Sequence, residues 1–191
     1  MKLLKILIIL ALVLFPFGEL LRCDVGNNIV VKPLDILVGV AAIWWVIWKV
    51  KSAKFKVQNH PFYLPLIIFV SVGLLSLFIN LSWLRPEAFF VSLLYLIRWA
   101  AYAMLFPIVL SLDDRFKKKL IALLFFDGLI ILAAGFLQYF FFNNLKSLYH
   151  LGWDDHMHRI FSVFFDPNFA GAFFVLFFLF KCQKHRDKSQ K

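Results

Sequence analysis

The chain has 191 residues, of which 62% are hydrophobic, 19% aromatic and only 17% charged. A soluble domain carries about 25% charged residues, so this balance excludes an ordinary water-soluble fold and points to lipid. The net charge of +10 does not indicate a nucleic-acid binder, because the Lys and Arg fall in short runs between apolar stretches rather than on a soluble surface.

In chain order, six apolar segments approach the ~20 residues that a helix needs to cross a bilayer. They run 3–21, 34–48, 62–83, 89–110, 120–142 and 160–180, the last interrupted by Asp166-Pro167-Asn168. The expected fold is therefore all-α, a single polytopic transmembrane bundle of about six helices. The first segment resembles a secretory signal, with Lys2 and Lys5 ahead of an apolar centre, but no small-residue cleavage site follows. Leu20-Leu21-Arg22-Cys23 has an Arg where a lipoprotein box needs a small residue, so an uncleaved first helix is expected. Cys23 and Cys182 are too few for a disulfide scaffold.

Basic residues set the orientation. Lys2, Lys5, Lys49, Lys51, Lys54, Lys56, Arg115, Lys117, Lys118, Lys119, Lys181, Lys184, Arg186, Lys188 and Lys191 fall on one side, fifteen in all. The other side holds five: Arg22, Lys32, Arg85, Lys146 and Arg159. By the positive-inside rule the first side is cytoplasmic, and with it both ends of the chain. Trp44, Trp45 and Trp48 are expected at the inner boundary and Trp83 at the outer one.

Charges inside apolar spans are costly and mark candidate sites. Arg98 lies mid-way along the fourth span, with Tyr95 at i−3 and Tyr102 at i+4 on the same face. It can face a polar cavity or tie helices together through an ion pair, and Asp127 in the fifth span is the expected partner. Asp35, two residues after Pro33, reads as a helix start signal. The outer loop before the sixth span contains Asp155, His156 and His158, whose spacing fits no metal motif, so neither a metal nor another cofactor is expected. Arg159 can hold a phosphate in a bidentate fork or anchor the chain at the interface. Asp166, Pro167 and Asn168 suit the start of a helix entering the membrane, and Ala170-Gly171-Ala172 permits close packing after it.

Arg-Ile-Phe-Ser-Val-Phe-Phe-Asp-Pro-Asn-Phe-Ala-Gly-Ala-Phe, from Arg159 to Phe173, resembles a motif of the O-antigen ligase and O-antigen polymerase family. Phe15 to Leu20, Lys32 to Leu37 and Leu96 to Tyr102 are similar to its first outer loop, second helix and a later helix. The resemblance implies a polytopic protein of the bacterial inner membrane that transfers a glycan from an undecaprenyl-diphosphate carrier on the outer face. It implies that Arg159 binds the donor diphosphate, with membrane lipid as surroundings and the acceptor, a glycan or a lipid, unspecified. Members carry their assigned catalytic His and Arg in a large outer loop beyond the region matched here. The chain is therefore expected to be the N-terminal part of a longer protein and inactive alone. The alternatives are a small transporter or flippase-like carrier, for which Arg98 and Asp127 would mark a path, and a non-catalytic membrane subunit.

Overall fold

The computed structural model describes residues 1–26, 29–52, 63–151 and 153–189. Lys54, Lys56 and Phe62 of the predicted inner loop and third span, and Lys191 at the end, lie outside the described residues. The chain is mostly helical: α1 (Lys2–Leu14), α2 (Pro33–Lys51), α3 (Tyr63–Ile79), α4 (Pro86–Ala103), α5 (Leu105–Leu110), α6 (Asp114–Phe141) and α7 (Pro167–Ser189). Three stretches are long and apolar enough to cross a membrane: Pro33–Lys51, Pro86–Leu110 and Asp114–Phe141. Tyr63–Ile79 and Pro167–Phe180 are apolar but shorter.

An all-α reading misses one element. Strands β1 (Cys23–Gly26) and β2 (Ile29–Val31) pair antiparallel, with Cys23 opposite Val31 and Asp24 opposite Val30. Gly26 has φ +94°, open to glycine at no steric cost, and its N–H donates to Asp24 Oδ1 at 2.8 Å.

Prolines decide where the helices break. The first predicted span, 3–21, is cut at Leu14: Pro16 cannot donate a backbone hydrogen bond, and Phe15–Phe17 tightens into a 3-10 turn. Within the predicted 89–110 span, Pro107 removes the partner of the Ala103 carbonyl, four residues back, and α4 gives way to α5 there. The bonds on either side persist, Met104 N–H to Ala100 at 3.0 Å and Ile108 N–H to Met104 at 3.1 Å. The sixth predicted span, 160–180, is helical only from Pro167, because the chain before it is held in a different backbone conformation described below.

The chain divides into two compact units. The first comprises Met1–Ala11 and Arg22–Lys117. Its core takes Leu4, Leu7, Ile8 and Ala11 from α1, at i, i+3, i+4 and i+7, the apolar stripe of a half-buried helix. From α2 it takes Leu34, Val38, Ala41, Ala42 and Trp45, and Ile108 of α5 is fully buried. Trp45 faces inward, and its Nε1–H donates to Ser111 Oγ at 3.0 Å. Asp113 caps α6, accepting from Phe116 N–H at 2.9 Å, and Lys5 donates to the same carboxylate. The bond from Lys5, then that from Phe116, holds the Asp113 carboxyl below its ordinary range.

The second unit comprises Leu12–Leu21 and Lys118–Lys191. Here α6 and α7 meet closely at Gly128, where a Cβ would lie 2.1 Å from the Phe177 ring. The Phe177 ring also packs with Phe125, 5.5 Å between centroids, and with Phe173. Phe15, Phe164 and Phe173 form a further triangle of rings.

Candidate functional site

Two polar clusters stand out against this apolar background. The first gathers around Arg98 on α4. Its guanidinium lies 2.9 Å from Asp35 Oδ2 and also donates to the Val30 carbonyl of β2. The Tyr102 hydroxyl donates to Asp35 Oδ1 at 2.8 Å, and the Tyr95 ring lies 5.1 Å from the guanidinium carbon. Tyr95, Arg98 and Tyr102 thus share one face. The carboxylate they meet is Asp35, not Asp127 as expected from the sequence. The hairpin and Pro33 deliver the first turn of α2 to this face of α4. There Asp35 performs its cap role as well, accepting from Lys32 N–H at 3.0 Å. Beside the pair is a recess of about 20 Å³ lined by Ile29, Val30, Val91, Leu94, Tyr95 and Arg98. That volume is roughly that of one water, and the ion pair closes a polar seam between α4 and the start of α2.

Asp127 lies on α6 in the second unit. It is only 5% exposed, and its Oδ2 has no hydrogen-bond partner among the described residues.

The second cluster is the segment between α6 and α7, and it is built on the end of α6. Gln138 is buried and all its amide groups are used on main chain. Its Oε1 accepts from Phe161 N–H at 3.0 Å and Ser162 N–H at 3.2 Å. Its Nε2 donates to the Phe142 carbonyl at 2.7 Å and the Arg159 carbonyl at 3.3 Å. Ser162 Oγ donates to the Ile131 carbonyl at 2.7 Å, and Gly135 leaves room for Ile160 and Ser162 to approach α6.

The backbone of this segment is unusual. His158, Ser162 and Phe165 have φ of 53°, 48° and 56°, the only positive values at non-glycine residues among the described ones. Left-handed backbone at non-glycine residues is uncommon and is held only where the surroundings over-determine it. Phe165 is fixed by edge-on contact with Trp153, ring centroids 5.3 Å apart, and by Phe161.

Arg159 is exposed on this clamped segment, and its guanidinium forms no ion pair among the described residues. Lys146 and Asp155 form a loose ion pair at 3.8 Å. Asp166 caps α7, its Oδ1 accepting from Asn168 N–H at 2.7 Å and Phe169 N–H at 3.2 Å, with Pro167 in the first turn. The start of α7 is thus filled by its own cap, and Arg159 presents an exposed guanidinium on the same segment.

No family model, curated protein or solved structure matches the chain.

Arg159 and Asp166 were both legible as polar residues flanking an apolar run. Ser162 enters the sequence reading only as part of the 159–173 motif, and Gln138 belongs to no motif. The signal was there for Gln138: an uncharged amide alone in a Phe-rich helix must find partners, and a loop carrying free N–H and C=O groups supplies them. No three His, Cys, Asp or Glu come together to hold a metal among the described residues.

Proposed function

We propose that the chain is a multi-pass protein of the bacterial inner membrane, with about six spans and both ends in the cytoplasm. Its 159–173 segment engages a lipid-linked glycan donor on the outer face, as the resemblance to O-antigen ligases and polymerases implies. The membrane reading is supported by the three long apolar helices and by α3, where Leu64, Ile67, Phe69, Val72 and Leu75 are all exposed. Facing water, that surface would be a large apolar patch; facing acyl chains it costs nothing. The basic residues supply the orientation.

The observation that carries the donor role is the pairing of a rigid seat with a free cation. Gln138 fixes the backbone of the segment at Arg159, while the exposed guanidinium, with five donors, forms no ion pair among the described residues. A planar fork on a fixed backbone suits a diphosphate better than a mobile ammonium does. In glycan transfer an acceptor hydroxyl displaces the undecaprenyl diphosphate from the anomeric carbon, and negative charge grows on the departing diphosphate. Arg159 would stabilise that charge through bidentate, charge-assisted hydrogen bonds. The group that takes the acceptor's proton is not assigned to any residue of this chain. A solute carrier gains no support from Arg98, whose carboxylate partner is Asp35 and whose recess holds roughly one water.

The test is a titration of the protein in lipid nanodiscs with undecaprenyl diphosphate. Arg159→Ala weakens binding about 10-fold or more, the scale of a lost hydrogen bond to a charged group. Arg85→Ala, which removes another charge from the same predicted side, changes it less than about twofold. Equal losses from both substitutions would mean unspecific attraction and would end the donor-site reading.

A further inference from the structure

We infer that Gln138 is a positioning residue for Arg159, setting where the guanidinium meets its ligand; this rests on the proposed donor site. Ile131, Gly135 and Gln138 lie at i, i+4 and i+7 on one face of α6, and each engages the same segment. Ile131 offers a carbonyl to Ser162, Gly135 offers space to Ile160 and Ser162, and Gln138 binds the main chain at Arg159, Phe161 and Ser162. The seat is therefore a row along the helix, with Gln138 at its end. The residues on either side of Arg159–Phe161, His158 and Ser162, are two of the three with positive φ. The bonds of Ser162 Oγ to Ile131 and of His158 N–H to Asn143 hold the two ends of this stretch, so loss of the amide loosens the main chain between them, at Arg159 and Phe161, and shifts Arg159. Gln138 is buried beneath the segment and does not itself touch a ligand.

The experiment is a double-mutant cycle in nanodiscs with undecaprenyl diphosphate as the probe, read together with amide hydrogen exchange. Gln138→Met keeps the length and removes all four polar contacts. The expected result is a loss of about 10-fold in binding when Arg159 is present and of less than about twofold in the Arg159→Ala background. Exchange at the Phe161 and Ser162 amides rises in step. Gln138→Glu, which keeps the acceptor and loses the amide donor, gives an intermediate loss, and it serves if Gln138→Met fails to insert. If Gln138→Met costs the same in both backgrounds, or nothing in either while Arg159→Ala alone weakens binding, the positioning role is overturned and the donor site stands. If Arg159→Ala binds as tightly as the unchanged protein, the donor site falls and the positioning role with it. Unchanged exchange at Phe161 and Ser162 in Gln138→Met would overturn the clamp itself, whatever the binding shows.

Discussion

Asp35 illustrates how one carboxylate serves two levels of structure. It caps the α2 start through Lys32 N–H and neutralises Arg98, with Tyr102 on its second oxygen. Asp35→Asn keeps the cap acceptor and loses the charge, and should lower stability by about 1–3 kcal/mol in thermal or denaturant unfolding. Asp127→Asn should be neutral or stabilising, since an unpartnered buried carboxyl contributes nothing to holding helices together. The reverse ranking would mean that Arg98 pairs with Asp127 after all. The helical spacing carries the grouping of Tyr95, Arg98 and Tyr102 in the sequence. It does not carry the partner, because Asp35 reaches that face through the tertiary placement of α2 against α4. The pair between Lys5 and Asp113 adds a dependence on acid. The Asp113 pKa is lowered in the folded protein, so its contribution is complete above the ordinary 3.8 and disappears as pH falls through the lower folded value. Unfolding measured from pH 6 down to pH 2 should show the native protein and Lys5→Met converging below pH ~4.

Helix ends, more than helix interiors, separate what the sequence announces from what the backbone does. Apolar length located both ends of α2 and the C-terminal ends of α3 and α6 to within about a turn, but started α6 at Leu120, six residues after its first residue, Asp114. It overran at Pro16, ran through the break ahead of Pro107, and started the last helix seven residues early, at Ile160 instead of Pro167. In each case hydrophobicity continues across a point where the hydrogen-bond ladder cannot. The Pro33-Leu34-Asp35 and Asp166-Pro167 signals both mark true helix starts, at α2 and α7. The contact of α6 with α7 makes a further claim at this scale. A Cβ at Gly128 would meet Phe177 at 2.1 Å, and Phe125 and Phe173 restrict where that ring can go. Gly128→Val should cost about 1–3 kcal/mol by overpacking. Gly171→Val should cost less, because nothing lies within 4 Å of a Cβ there. Equal costs would show that Phe177 can turn away freely.

At the scale of the molecule, composition and charge account for the helical character and for the proposed orientation, while the site depends on packing that no local pattern encodes. The clamp of Gln138 on Arg159–Ser162 joins residues more than twenty apart in sequence, whereas the hairpin of Cys23–Gly26 and Ile29–Val31 is local and pairs residues no more than eight apart. Each holds a short non-helical stretch between apolar helices. The donor-site proposal requires the second of these stretches to face outward, with the α5–α6 turn facing inward. Cysteine labelling in intact cells tests that directly, in a background where Cys23 and Cys182 are replaced by Ser. A membrane-impermeant maleimide should label His150→Cys in intact cells and label Lys118→Cys only after permeabilisation. Labelling of Lys118→Cys from outside with His150→Cys protected would contradict the orientation, and with it any glycan chemistry on the outer face at Arg159.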